Sequence, residues 1–145
     1  MNTQTVLITG GSMGIGFATA RYLLERGMSV ILIARQAQGL QDAKAALVAA
    51  GHSAAHIEIL AMDMADDQAI ARLSDTLARL PHGLFGLVNN AASELLRRIT
   101  EYQLDELETM WRVNMRAPVL MIQTCQPFLR KAKGSVVNVG SISDH

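Results

Sequence analysis

Short aliphatic runs alternate along the chain with longer stretches in which apolar positions recur every three or four residues. Val6-Leu7-Ile8 ends at Thr9-Gly10-Gly11, and Val30-Ile31-Leu32-Ile33 ends at Ala34-Arg35; both read as buried strands. Between them Ile15, Ala18, Thr19, Tyr22 and Leu23 repeat at helical spacing, with Gly27 as the C-cap. The alternation predicts an alanine-rich helix over 38–50, a strand over 57–60, a helix over 66–80, a strand over 84–88, a long helix over 104–130 and a last strand over 135–139. In the long helix Leu107, Trp111, Asn114, Pro118, Met121, Cys125 and Leu129 share one stripe. Continuously apolar strands separated by helices imply a parallel sheet covered on both faces, an α/β fold. Five strands and four helices fill the chain, with no repeat, low-complexity stretch or linker.

Composition narrows the class. At 145 residues the chain fits one domain over 1–145. Half its residues are hydrophobic and 18% are charged, which argues against disorder. The 13 basic and 13 acidic residues cancel and form no basic block, so a dedicated nucleic-acid binder is not expected. Cys125 is the one cysteine and cannot form an internal disulfide, and His52, His56, His82 and His145 are scattered without ligand spacing; a reducing cytoplasm and no metal site follow. The start of the chain lacks signal-peptide character, and its longest apolar run, Met28 to Ala34, is broken by Ser29 and is much shorter than the roughly 20 residues of a membrane span. No membrane partner is expected.

The chemistry concentrates where the first strand meets the first helix. Thr9-Gly10-Gly11-Ser12-Met13-Gly14-Ile15-Gly16 lies at the carboxyl edge of the sheet, where open α/β sheets bind ligands. Glycines let the backbone approach a pyrophosphate, and the helix N-terminus stabilises the anion. The spacing is neither G-x-G-x-x-G nor a P-loop, which disfavours a kinase or ATPase. Thr9 to Gly16 does match the T-G-x-x-x-G-x-G of the short-chain dehydrogenase/reductase family. Asn89-Asn90-Ala91-Ala92 resembles that family's N-N-A-G, with Ala92 for the usual glycine. Val113-Asn114 resembles its active-site Asn segment, and Gly134 to Ser141 its fifth strand and catalytic serine, with Gly140 for a common Ser.

The resemblance implies a doubly wound Rossmann sheet of strand order 3-2-1-4-5 whose C-terminal part is missing, and hydride exchange between a nicotinamide and a small-molecule carbonyl or alcohol. It places Thr9, Gly10, Ser12, Met13, Gly14, Ile15, Gly16, Arg35, Asp63, Met64, Asn90, Ala91 and Ala92 around the cofactor, and gives Ser141 and Asn114 catalytic roles. No carboxylate stands at the end of the second strand to hold ribose hydroxyls, and Arg35 follows, which favours NADP(H) over NAD(H). Arg35 as a solvated loop cation is the alternative. Asp63 reads as the residue beside the adenine, as a cap for the following helix together with Asp66 and Asp67, or as both at once. The methionines otherwise read as core or loop filler.

Pro118 has no N–H, so the carbonyl of Asn114, four residues earlier, loses its helical partner and is left free to hold a water. In the resembling family that water belongs to a proton relay. Ser141, two residues past the predicted fifth strand, would orient a substrate carbonyl; a plain loop serine is the alternative. The family's acid is a Tyr in Y-x-x-x-K. Here Tyr22 and Tyr102 are followed four residues on by Arg26 and Glu106, so the motif is absent from the 145 residues. The expectations are therefore a reductase lineage whose 145-residue chain alone is inactive, or a noncatalytic dinucleotide-binding remnant. A truncated chain should also expose apolar surface on its fifth strand and long helix, where relatives form homo-oligomers.

Overall fold

The computed structural model describes residues 4–141; the predicted tail over 142–145 lies outside them. Five parallel strands, β1 (Thr5–Thr9), β2 (Ser29–Ala34), β3 (Ile57–Ala61), β4 (Gly86–Asn89) and β5 (Ser135–Asn138), form one sheet in the order β3-β2-β1-β4-β5. The helices between them are α1 (Gly14–Leu24), α2 (Ala37–Ala49), α3 (Asp67–Leu77), α4 (Leu104–Trp111) and α5 (Ala117–Ala132). This is the doubly wound Rossmann arrangement expected from the sequence.

Strand alternation builds a core on each face. Leu7, Ile31, Ile33 and Leu87 pack with Ile70, Leu73 and Leu77 of α3 and with Met121, Cys125 and Leu129 of α5. Val6, Ile8, Val30, Leu32 and Val88 face the other way, onto Ala20 and Leu24 of α1 and Leu40 and Leu47 of α2. Leu7 sits in the middle, in register with Ile31 on one side and Leu87 on the other. Among the described residues no helix is long and apolar enough to cross a membrane.

Three expectations are corrected. The inward face of α1 is Gly16, Ala20 and Leu24, while Ile15 is 63% and Tyr22 54% exposed. Small residues face the sheet because they let the helix approach it closely, and Tyr22 instead lies under the Arg26 guanidinium. The long helix is not one α-helix: residues 112–116 form a π turn, with Ala117 N–H donating to the Arg112 carbonyl. Its extra residue shifts the packed stripe to Val113, Ala117, Met121, Cys125 and Leu129, leaving Leu107, Trp111 and Asn114 exposed. Strand pairing in β4 begins at Gly86, because the Leu84 N–H donates to Phe128 O at the end of α5.

The elements also do not fill the chain, since 90–98 is extended loop and only a 3-10 turn, Ile99–Glu101, precedes α4. Nor are all strands covered on both faces. β5 is an edge of the described sheet and exposed along its length, with Val137 53% accessible. Leu104, Leu107, Trp111, Met115 and Val119 form an exposed apolar row on α4, the π turn and α5. Apolar surface is thus exposed on both elements named from the sequence, the helical part by Leu107 and Trp111 of the predicted stripe with Leu104, Met115 and Val119, while Met121, Cys125 and Leu129 of that stripe are buried.

Candidate functional site

β1 delivers the chain to the carboxyl edge at Thr9, and the glycine loop turns it into α1. Gly10 and Gly14 take φ of 65° and 54°, the left-handed region where a side chain is strained. Gly16 is required for another reason: a Cβ there would lie 2.2 Å from the Gly10 carbonyl oxygen. Met13 is the N-cap of α1 but makes no side-chain cap, and no acid occupies the first turn. The first helical bond runs from Phe17 N–H to Met13 O at 3.1 Å, so the N–H groups of Gly14, Ile15 and Gly16 have no helical acceptor. An anion fits this open, positively polarised end.

Thr9 and Asn90 fasten the loop to β4. The Thr9 side chain is almost fully buried, and its Oγ1 accepts from Asn90 N–H at 3.0 Å and Ala91 N–H at 2.9 Å while donating to Val88 O at 3.4 Å. The Asn90 amide donates back to Thr9 O at 3.1 Å and Gly10 O at 3.2 Å. Asn89, its neighbour, is buried and donates to Asn138 Oδ1 at 2.9 Å, joining β4 to β5. The two asparagines therefore hold different pairs of strands.

Between these ends lies a cleft of about 410 Å³. Gly10, Ser12, Met13, Arg35, Asp63, Met64, Ala91 and Ala92, all singled out from the sequence, line it. Thr9, Asn90 and Gly16 stand behind its wall as supports, and Gly14 and Ile15 sit exposed at the start of α1 outside the lining. Sequence reasoning missed Ala34, Gln36, Gly39, Met62, Ser93 and Val113, which complete it. Gly39 alone carried a signal, a glycine inside a helix rich in alanine. A second hollow of about 380 Å³, lined by residues including Gln4, Pro81, His82 and Lys131, holds none of the predicted site residues.

Asp66 caps α3, accepting from Gln68 N–H at 2.9 Å and Ala69 N–H at 3.1 Å. The Asp63 carboxylate accepts a local turn bond from Ala65 N–H at 2.9 Å, its backbone carbonyl accepts from Asp66 N–H at 3.1 Å, and the residue lies in the cleft wall. Arg35 is exposed at the cleft and has no ion pair among the described residues.

Asn114 lies in the π turn, so the ladder is rewound directly before Pro118 rather than continuing as a straight α-helix. Its side chain is not a packed stripe residue. The carboxamide accepts Ser93 N–H and donates to Ser93 O, both at 2.8 Å, and so clamps the loop leaving β4. Arg116, at the other end of the turn, pairs with Asp67 of α3. Ser141 is exposed, three residues past β5, and is not in the cleft lining. Among the described residues no cluster of His, Cys, Asp and Glu could hold a metal ion.

A family model described as short chain dehydrogenase matches residues 4–145. The chain is 29% identical over 144 residues to an uncharacterized oxidoreductase of Staphylococcus aureus (strain MW2), covering 99% of this chain and 60% of that protein. It is 32% identical over 145 residues to a rhamnolipids biosynthesis 3-oxoacyl-[acyl-carrier-protein] reductase of Pseudomonas aeruginosa, covering 97% of this chain and 55% of that one. Among solved structures, a metagenomic short-chain oxidoreductase in complex with NADP superposes with a TM-score of 0.86 at 31% identity, over 97% of this chain and 63% of the other. The chain thus spans little more than half the length of the relatives it matches. With the glycine loop, the strand order and the family model in agreement, the chain belongs to the short-chain dehydrogenase family.

Proposed function

We propose that this chain is the NADP(H)-binding part of an oxidoreductase that exchanges a hydride between nicotinamide and a small carbonyl or alcohol. One observation carries the reading: the uncapped N-terminus of α1 and Arg35, which has no ion pair among the described residues, stand at one cleft whose β2 side has no carboxylate. The helix end suits a pyrophosphate. Arg35 suits a ribose 2′-phosphate, which an acid at that position would repel. When bound, the cofactor supplies the hydride. Around it the chain's own residues position: Gly10, Ser12 and Met13 hold the phosphate side, Asp63 and Met64 flank the adenine, and Ala91 and Ala92, fixed by Thr9 and Asn90, form the wall toward the nicotinamide. Ser141 orients the substrate oxygen, and Asn114 supports the proton path. Buried Cys125 suits a reducing cytoplasm.

The chain as it stands favours binding without turnover. Tyr22 lies two turns into α1, outside the cleft, and Tyr102 donates its hydroxyl proton to Leu95 O. Neither precedes a Lys by four residues.

The test titrates purified 1–145 with NADPH and NADH by cofactor fluorescence, then follows NADPH consumption with a panel of aldehydes and ketones. NADPH should bind about tenfold more tightly than NADH, Arg35→Ala should erase that ratio, and consumption should stay at background. Tighter binding of NADH, or a ratio unmoved by Arg35→Ala, would overturn the cofactor reading; robust turnover would overturn the noncatalytic one.

A further inference from the structure

Gly39 is the third residue of α2, and neither usual reason for a glycine applies to it. Its φ is not positive, so the backbone does not demand it. A Cβ built there would meet only the Cβ and Oγ of Ser12, both at 3.8 Å, which is ordinary van der Waals contact. Alanine is the better helix former, and α2 uses it at 37, 43, 45, 46 and 49. What glycine does supply is space, because Gly39 and Ser12 line the same cleft as Arg35 and Gln36.

The start of α2 adds donors to that space. Gln36 is its N-cap without a side-chain cap, and no acid stands in the first turn. The first helical bond runs from Leu40 N–H to Gln36 O at 3.3 Å, so the N–H groups of Ala37, Gln38 and Gly39 have no helical acceptor. We infer that Gly39 is a specificity-determining residue: its missing side chain keeps open the space between Ser12 and α2 that the ribose 2′-phosphate of NADP(H) occupies beside Arg35. This rests on the NADP(H) reading proposed above. A phosphate there meets the guanidinium, the Ser12 hydroxyl and the bare helix end together, whereas the 2′-hydroxyl of NAD(H) is smaller and needs no such room.

The experiment compares wild type, Gly39→Ala, Gly39→Leu and Arg35→Ala as full 1–145 chains, measuring NADPH and NADH affinity by fluorescence and Tm without ligand. Gly39→Ala should raise Tm by roughly 2–4 °C through helix propensity while weakening NADPH about fivefold and leaving NADH within twofold. Gly39→Leu should weaken NADPH by more than about 30-fold at unchanged Tm or higher. If Arg35→Ala lowers NADPH affinity selectively but both Gly39 variants bind NADPH like wild type, the inference falls and the cofactor reading stands. If NADPH and NADH bind alike in wild type, or neither binds, both fall. Equal weakening of the two dinucleotides by Gly39→Ala also overturns the role in specificity.

Discussion

Replacing Thr9 by Val keeps the shape of the side chain and removes only the hydroxyl that joins the glycine loop to β4. Asn90 N–H and Ala91 N–H then lose their acceptor, at 3.0 and 2.9 Å, and no other protein oxygen takes its place among the bonds described. A donor left without an acceptor in the interior costs about 1–3 kcal/mol, and since Asn90 and Ala91 are only half-buried the lower end applies, giving about 2–3 kcal/mol for the pair. Urea unfolding is the assay. With a slope of about 2 kcal/mol/M, the midpoint should fall by about 1–1.5 M. Thr9→Ser, which keeps the hydroxyl and loses a methyl, should cost about 0.8 kcal/mol. NADPH affinity should fall with Thr9→Val and hold with Thr9→Ser, because Ala91 lines the cleft. A Thr9→Val chain within about 0.5 kcal/mol of wild type, or a Thr9→Ser chain less stable than Thr9→Val, would refute the reasoning.

Two further outcomes are expected. Asn114→Ala removes both bonds to Ser93, so the Ser93 amide should exchange with solvent about tenfold faster while amides in β1 and β2 keep their rates; unchanged Ser93 protection would show that the clamp does not hold the loop. Burial pushes the Cys125 thiol up from 9.0 to about 12, so the folded state holds that proton more tightly than the unfolded one. The thiol's contribution is therefore complete below pH 9 and is lost as pH rises from 9 to 12. Wild type should lose stability more steeply than Cys125→Ala across that window, and parallel curves would contradict it.

The sheet was legible because a strand buried on both faces must be apolar at every position, and Val6 to Ile8 and Val30 to Ile33 obey that. The glycine loop was legible because its residues answer to the backbone: a left-handed φ at Gly10 or a 2.2 Å approach at Gly16 admits no other side chain. Facing was harder. An apolar repeat marked α1 as a helix, yet close packing reserved its inner face for Gly16 and Ala20, and the larger Ile15 and Tyr22 went outward. The stripe on the long helix was drawn at constant α-helical pitch, and the π turn changes the pitch at the point where Pro118 withdraws a donor. Ser93 and Val113 were missed because they enter the cleft through tertiary contact, whereas Gly39 left one local mark, a glycine inside an alanine-rich helix.

The π turn also divides the long helix into two rotational phases. Deleting one residue from 112–116 would let the turn close at α-helical pitch, so that α4 and the Trp111 indole, now 56% exposed, keep their bearing while the Asn114 carboxamide comes off the Ser93 backbone. A change of helix length at this one place, invisible to the sheet and to the strand order, would thus be read out as a change in the wall of the cleft.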